Sequence, residues 1–175
     1  GEAVKLLAKC PLEHDPGDKF TYGMSMDILG YLIEVVSGTS VDQYFQKKIF
    51  EPLGMNNTFF YLPDSKKNKM VALYEKNSAE APLTFNKKAN SMYQTLPYAG
   101  AKKFFSTGAG LNGTIEDYAK FCQMILNQGE FNGHRILSRK TIEMMQKNEV
   151  GDFRGEIGFS LAFDYFSPQY YRSIV

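Results

Sequence analysis

The stretch FTYGMSMDILGYLIEVVSG, residues 20–38, carries the clearest structural pattern in the chain. From Ser25 to Ser37 apolar residues recur at spacings of three and four, which is the period of one face of an α-helix. Gly38 follows the last of them and can end a helix in the left-handed conformation. We therefore predict a helix over residues 25–37, with Tyr22 in the short aromatic turn that leads into it.

Similar patterns predict helices on both sides of this one. Residues 2–9 predict a short helix. Ser40, with Gln43 three residues later, predicts the cap of a further helix, which Pro52 stops because proline cannot continue the hydrogen-bond ladder. The apolar face of that helix consists of Val41, Tyr44, Phe45 and Ile49.

Two more helices are predicted in the C-terminal half of the chain. Thr114 predicts the cap of a helix of about a dozen residues, a common length, which ends near Gly129. Ser138 predicts the cap of another helix, from Arg139 to Lys147. The first of the two should bury Ile115, Tyr118, Ala119, Cys122, Ile125 and Leu126.

We predict little β-structure. Residues 56–98 form an irregular segment with one short strand at Met70–Tyr74, and a loop this long in a compact domain is usually functional or disordered. Near the end of the chain, residues 159–163 alternate between apolar and small or polar side chains, which predicts a strand without an obvious partner. The prediction is one domain over residues 1–175, mainly α with a little β.

Length and composition exclude several classes of protein. The chain has 175 residues, of which 43% are hydrophobic, and a net charge of +1. This length lets one domain bury its own core. A near-neutral charge argues against a nucleic-acid partner, because such binders need a basic face. No apolar run reaches the roughly 18 residues that span a bilayer, so we predict no transmembrane segment in this chain.

The cysteines and histidines do not predict a metal site. Cys10 and Cys122 are far apart in the sequence, and so are His14 and His134, and none has metal-ligand spacing. A disulfide between the cysteines stays open, but two free thiols are our prediction, with Cys122 on a buried helix face. We predict neither a metal ion nor a cofactor.

Three ordered blocks of sequence resemble one protein family. The first is PGDKFTYGM, residues 16–24, which runs into the helix that ends at Gly38. The second is FEPLGMNNT, residues 50–58, and the third extends from Gly108 through residues 117–121 to Ser138. Together they resemble the serine β-lactamase-like hydrolases, a family that includes class C β-lactamases, esterases and penicillin-binding-protein-like peptidases.

The resemblance implies an acyl-enzyme mechanism and a role for Tyr22. In the family a Ser-x-x-Lys motif supplies the nucleophile, a Tyr-x-Asn motif supplies a phenol that moves the proton, and a late strand carries Lys-Thr-Gly or His-x-Gly. Tyr22 falls where the tyrosine belongs and is therefore the predicted catalytic residue. A free tyrosine has a pKa of about 10, so cationic neighbours from the other two motifs would have to favour its phenolate.

The same resemblance places three residues in the substrate site. Met24 stands where β-lactamases have an asparagine, and a thioether cannot replace the hydrogen bonds of an amide. This departure favours an esterase or peptidase relative over an efficient β-lactamase. Gly108 and Gly110 are predicted to line the substrate site, although their first role is backbone geometry.

The other two family motifs are absent from these 175 residues. No serine has a lysine three positions later, and neither Lys-Thr-Gly nor His-x-Gly occurs. We therefore expect a truncated fragment: the helical region of a β-lactamase/transpeptidase-like fold, with the sheet largely missing, that is inactive alone. The full-length protein would act on a small molecule or a cell-wall peptide. The resemblance also suggests a periplasmic or exported bacterial protein.

Two alternatives stay open. The chain could instead be a non-catalytic helical module that binds a cell-wall or protein partner. Separately, Tyr22 could be a buried aromatic residue whose hydroxyl bonds to backbone. A Ser-His-Asp set of Ser106, His134 and Asp117 lacks the nucleophile-elbow pattern, so we reject it. In either case, surfaces that would pack on absent parts should be apolar, which predicts self-association.

Overall fold

Helices dominate the fold of the described residues. The computed structural model describes residues 1–76, 78–85, 97–98, 102–153, 157–160 and 163–166. Its helices are α1 (Glu2–Leu7), α2 (Ser25–Ser37), α3 (Val41–Phe45), a π-helical segment (Gln46–Phe50), α4 (Glu51–Leu53), a 3₁₀ helix (Asp64–Lys69), α5 (Ile115–Leu126) and α6 (Arg139–Met145). The prediction of a mainly α chain with a little β is confirmed.

Helix α2 has the predicted bounds and leaves its apolar face in solvent. Gly38 adopts φ 68° and donates its N–H to Glu34 O at 3.0 Å, which ends the helix as predicted. Within the described residues, five apolar side chains of α2 are between 42% and 79% exposed, namely Ile28, Leu29, Leu32, Val35 and Val36. The amphipathic pattern therefore identifies the helix correctly, but this face lacks a covering element in the described part of the chain.

The next helical run differs from the prediction at both ends. The Ser40 side chain makes no capping bond; instead Glu34 Oε1 accepts from Val41 N at 3.1 Å. Pro52 does not stop the helix, because the π-helical segment widens the backbone just before it and a new turn, α4, begins at Glu51. In a first turn proline has no N–H bond to lose. Gly54, at φ 66°, ends the run.

Helices α5 and α6 have the predicted caps, but the predicted buried face of α5 is wrong. Thr114 Oγ1 accepts from Asp117 N at 3.2 Å, and Ser138 Oγ accepts from Thr141 N at 3.0 Å. Asp117 and Met124 are the buried residues of α5. Several residues of the predicted face lie in solvent instead, among them Ile115, Tyr118, Cys122 and Leu126.

The reversal on α5 has a physical cause. Asp117 is held inward by hydrogen bonds from the loop after α4. With this orientation Phe121, Met124 and Ile125 pack on the core, and the predicted face other than Ile125 is exposed. Ile115 is consequently 90% exposed. Sequence periodicity detects an apolar stripe but not what covers it.

One hydrophobic core joins the α3–α4 run to α5 and α6. Its buried members are Phe50, Leu53, Met55, Met124 and Ile142. Partly buried apolar side chains surround them: Phe45, Ile49, Phe121, Ile125, Phe131, Ile136, Leu137 and Met145. The core therefore fixes Met55, at the start of the segment after α4, relative to α5 and α6.

The strands of the described residues form short antiparallel hairpins. They are β1 (Tyr74–Glu75) with β2 (Thr84–Phe85), β3 (Glu130–Phe131) with β4 (His134–Arg135), and β5 (Ile157–Phe159) with β6 (Asp164–Phe166). The strand predicted at Met70–Tyr74 is displaced and only reaches Tyr74. The strand predicted over residues 159–163 is displaced, because β5 ends at Phe159 and Ser160 N already donates to Phe163 O at 2.8 Å between β5 and β6. The expected lack of a partner is wrong, because β6 pairs with β5.

Two further expectations concern the irregular segment and the membrane. The predicted irregular segment 56–98 contains the 3₁₀ helix and the β1–β2 hairpin, and its residues 86–96 lie outside the described residues. Leu161, which belongs to the predicted last strand, also lies outside them. In the part of the chain that the structure describes, no helix combines the length and the apolar character needed to cross a membrane.

Candidate functional site

Tyr22 projects into solvent just before α2. Its side chain is 87% exposed, so the alternative of a buried aromatic residue is wrong. Met24, at the N-cap position of α2, is exposed too, and its carbonyl accepts from Ile28 N at 3.1 Å. The start of α2 therefore presents the two side chains of the Tyr-x-Met motif at the surface, on a backbone that the helix fixes.

The loop 106–110 lies against this end of α2. Thr107 Oγ1 donates to Met26 O at 2.5 Å, and the N–H of Gly108 points to Asp27 Oδ1 at 3.5 Å. The approach requires a glycine on the helix, because a Cβ at Gly30 would lie 2.4 Å from Thr107 Oγ1. The structure thus brings the loop that holds Gly108 and Gly110 to the helix end that presents Met24.

The two predicted glycines have different surroundings in this loop. Gly110 is buried, and its N–H donates to Ser106 O at 2.9 Å. A Cβ at Gly110 would lie 2.5 Å from that same carbonyl oxygen, which makes its role one of backbone geometry. Gly108 is exposed, and the nearest atom that a Cβ there would meet is Asp27 Oδ2, at 2.9 Å. Of the two, Gly108 is the one that a ligand beside α2 could reach.

His14 holds the turn that precedes Tyr22. Its Nδ1 lies 2.9 Å from Asp15 O, and its Nε2 lies 2.8 Å from Thr21 Oγ1. A carbonyl can only accept, so in the neutral ring Nδ1 carries the proton and Nε2 accepts from the Thr21 hydroxyl. Sequence reasoning missed this contact, as it missed Asp27, Gly30 and Thr107, because spacing alone does not show which distant loops meet.

Asp117 forms a buried polar cluster that joins two of the sequence blocks. It is 1% exposed, and its Oδ2 accepts from Asn57 N at 2.7 Å and from Thr58 Oγ1 at 3.0 Å. Lys120 Nζ donates to Asp117 Oδ1 at 3.0 Å and to Gly54 O at 2.5 Å. Both carboxylate oxygens are thus used structurally, which agrees with the rejection of a Ser-His-Asp set.

The hydrogen bonds to Asp117 control its protonation. Burial by itself raises the pKa of this carboxyl group, because water no longer solvates the charge. The bonds from Asn57, Lys120 and Thr58, together with the Lys120 charge, outweigh that penalty and hold the pKa below the ordinary aspartate value of 3.8. Asp117 is therefore ionised in the folded protein at neutral pH.

Among the described residues, the cysteines and carboxylates do not form a cluster of metal ligands. Cys10 and Cys122 are both free and both exposed, so the predicted burial of Cys122 is wrong. Across the described residues, no group of three or more histidine, cysteine or acidic side chains could hold a metal ion.

Known proteins resemble this chain in sequence and in structure. It is 27% identical over 169 residues to a putative D-alanyl-D-alanine carboxypeptidase of Escherichia coli (strain K12), covering 91% of this chain and 38% of that protein. The octameric penicillin-binding protein homologue from Pyrococcus abyssi superposes with a TM-score of 0.61 at 27% identity, over 86% of this chain and 31% of that one. EstCE1, a hydrolase with promiscuous acyltransferase activity, gives a TM-score of 0.73 at 22% identity, over 97% and 46%.

These comparisons establish the fold and the family. The described helices form the helical region of the β-lactamase/transpeptidase-like fold, and within the described residues the sheet of that fold is largely missing. The chain spans 38% of the length of the Escherichia coli relative. The family model described as Beta-lactamase matches residues 1–173, and the chain therefore belongs to the beta-lactamase family of serine hydrolases.

Proposed function

We propose that these 175 residues contribute the tyrosine side of a serine hydrolase active site of the carboxypeptidase or esterase type. The observation that carries the proposal is the presentation of Tyr22 in solvent at the start of α2, with loop 106–110 bonded to the same helix end. The proposed reaction class is acyl transfer through a serine ester, and membership of the family supports it.

In the proposed mechanism Tyr22 acts as the general base. Its phenolate would take the proton from the serine hydroxyl during attack on the substrate carbonyl, and would return it to the leaving group. Such a role needs cationic neighbours, since a free phenol has a pKa of about 10. We propose that a Ser-x-x-Lys helix and a Lys-Thr-Gly or His-x-Gly strand provide them, and that the 175-residue chain alone does not run the reaction.

The proposed substrate class depends on the side chain of Met24. A thioether accepts hydrogen bonds only weakly and donates none, so it cannot bind a β-lactam amide as asparagine does. An ester, or a cell-wall peptide that uses other contacts, is the better substrate. The similarity to a putative carboxypeptidase and to a penicillin-binding protein homologue supports a peptide substrate. The proposal of an ester substrate rests on Met24.

The gene sequence upstream of the codon for residue 1 distinguishes the proposed hydrolase from the alternative, a non-catalytic binding module. A Ser-x-x-Lys motif encoded before residue 1 supports the hydrolase, and its absence supports a non-catalytic binding module. In the polypeptide that carries the motif, Tyr22→Phe should lower kcat for p-nitrophenyl acetate by roughly 10²–10⁴-fold, the usual contribution of a general base. Tyr74→Phe, an exposed tyrosine of the β1 strand, is the control and should leave kcat unchanged.

A further inference from the structure

Tyr22 is supported from two sides, by α2 after it and by a loop before it. Gly23, whose backbone is the least restricted of any residue type, separates Tyr22 from the helix that begins at Ser25. Residues 19–23 lie outside the helices and strands of the described chain. The contacts of Phe20 and Thr21, the two residues before Tyr22, therefore contribute to where its side chain stands.

Phe20 is anchored to the β5–β6 hairpin. Its ring lies 5.7 Å from the ring of Phe159, centroid to centroid, with 58° between the ring planes. The backbone of Phe159 is itself held, because its N–H donates to Asn148 Oδ1 at 3.2 Å and its carbonyl accepts from Glu149 N at 2.8 Å. The aromatic contact thus ties residue 20 to a fixed strand.

Thr21 is anchored by His14, seven residues earlier in the chain. The Thr21 hydroxyl donates to His14 Nε2 over 2.8 Å, and His14 Nδ1 donates to Asp15 O over 2.9 Å. The bond to Asp15 fixes the orientation of the ring and leaves Nε2 as the acceptor. Asp15 O also accepts from Asp18 N at 3.2 Å, which forms a turn inside the loop that His14 closes.

We propose that His14 is a positioning residue for Tyr22, an inference that rests on the proposed function. Through Thr21 it holds the backbone directly before Tyr22, which keeps the phenol in place for the serine that the proposed mechanism requires. A misplacement of about 1 Å can lower a reaction rate by about 10²-fold. Both bonds of His14 face solvent, so they should order the loop without contributing much to the stability of the whole chain.

Two substitutions at His14 separate its two bonds. Asparagine places an amide where Nδ1 stands and can keep the bond to Asp15, whereas glutamine reaches as far as Nε2 and can keep the bond to Thr21. In ¹⁵N relaxation of the 175-residue chain, the amides of residues 20–22 should have order parameters of about 0.85 in the natural chain and in His14→Gln. The values should fall to about 0.6 or below in His14→Asn and in Thr21→Val, which lacks the hydroxyl.

The same variants test the effect on catalysis in the polypeptide that contains the Ser-x-x-Lys motif. His14→Asn and Thr21→Val should each lower kcat for p-nitrophenyl acetate by about tenfold or more, and the double variant should lose no more than either. KM should change by less than about twofold, because the substrate contacts remain. His14→Gln should restore most of kcat, and His134→Asn, on the exposed β4 strand, is the control that should leave kcat unchanged.

Three results would overturn the proposal. They are unchanged order parameters of residues 20–22 in His14→Asn; an unchanged kcat in His14→Asn and Thr21→Val; or a His14→Gln variant that behaves like His14→Asn. The unmodified chain offers a check that needs no variant, because the ¹⁵N shifts of the neutral His14 ring should place the proton on Nδ1, and a proton on Nε2 would also overturn it. An unchanged kcat in Tyr22→Phe would refute the proposed function instead, and the relaxation data, which need no activity, distinguish the two failures.

Discussion

Asp117 is the residue on which the stability of this chain should depend most. It is a fully buried charge, and its partners come from two separate segments, the loop after α4 and the next turn of α5. A buried charge with several donors contributes little net free energy as a pair, but removing one partner leaves the others unsatisfied. Removing one partner of the Asp117 cluster should therefore lower the free energy of unfolding by more than its hydrogen bonds contribute in the intact cluster.

Asp117→Asn should destabilise the chain by about 3 kcal/mol. The amide lacks the negative charge that pairs with Lys120, and its N–H groups face the donors that now bond to the carboxylate. Glu116→Gln, its exposed neighbour on the same turn, should change the free energy of unfolding by less than about 0.5 kcal/mol. Urea unfolding followed by circular dichroism measures both. Equal losses in the two variants would show that the cluster contributes nothing.

The lowered pKa of Asp117 predicts how stability depends on pH. A carboxyl group whose folded pKa lies below its unfolded value stabilises the fold fully above the unfolded value, and loses that contribution as the pH falls through the folded pKa. The difference in unfolding free energy between the natural chain and Asp117→Asn should therefore be constant from about pH 5 to 8 and narrow below 3.8. A difference that stays constant down to pH 2 would contradict the assignment.

At the scale of elements, a side chain of α2 caps α3 at the junction between the two helices. Glu34, in the last turn of α2, accepts from Val41 N and so caps α3 from the preceding helix. Ser40, the residue in the cap position, makes no such bond. The junction therefore fixes the angle at which α2, with Tyr22 at its start, leaves the core-forming run.

Glu34→Ala should cost about 1 kcal/mol, the usual value of a lost N-cap, whereas Ser40→Ala should cost less than about 0.5 kcal/mol. Thermal unfolding of the two variants under identical conditions measures the contrast. The reverse order, with Ser40→Ala the more damaging, would mean that the serine caps α3 in solution.

Helix positions could be predicted from the sequence better than the surfaces those helices bury. The Thr114 and Ser138 caps and the Gly38 stop are local, so composition and spacing suffice to identify them. The outward turn of α5 is set by Asp117, whose partners lie about 60 residues earlier in the chain. Likewise, Tyr22, Met24, Gly108 and Gly110 came from motifs, whereas the bond from Thr107 to α2 is a long-range contact that no local pattern contains.

At the scale of the whole molecule, α2 and α5 both present exposed apolar faces in the described part of the chain. Apolar side chains of both helices lie in solvent, including Leu29, Leu32, Ile115 and Leu126. Contiguous apolar surface of this kind usually marks an interface. We propose that these faces are interaction surfaces, and that in the isolated chain they drive self-association.

Light scattering should accordingly give a mass above the 19.8 kDa of one chain. The double variant Leu29→Gln/Leu32→Gln should shift the mass towards the monomer, because it removes apolar area from α2. Leu12→Gln changes a still more exposed leucine outside both faces and should leave the mass unchanged. A monomeric natural chain would rule the proposal out.

The most direct test of the proposed function is hydrolysis by the 175-residue chain itself. The chain should hydrolyse p-nitrophenyl acetate and nitrocefin no faster than its Tyr22→Phe variant, and mass spectrometry should detect no acyl adduct, because no serine in this sequence has the lysine that the mechanism requires. Turnover above that of Tyr22→Phe, or an acyl group on any serine, would show that these residues hold a complete active site and would contradict the account.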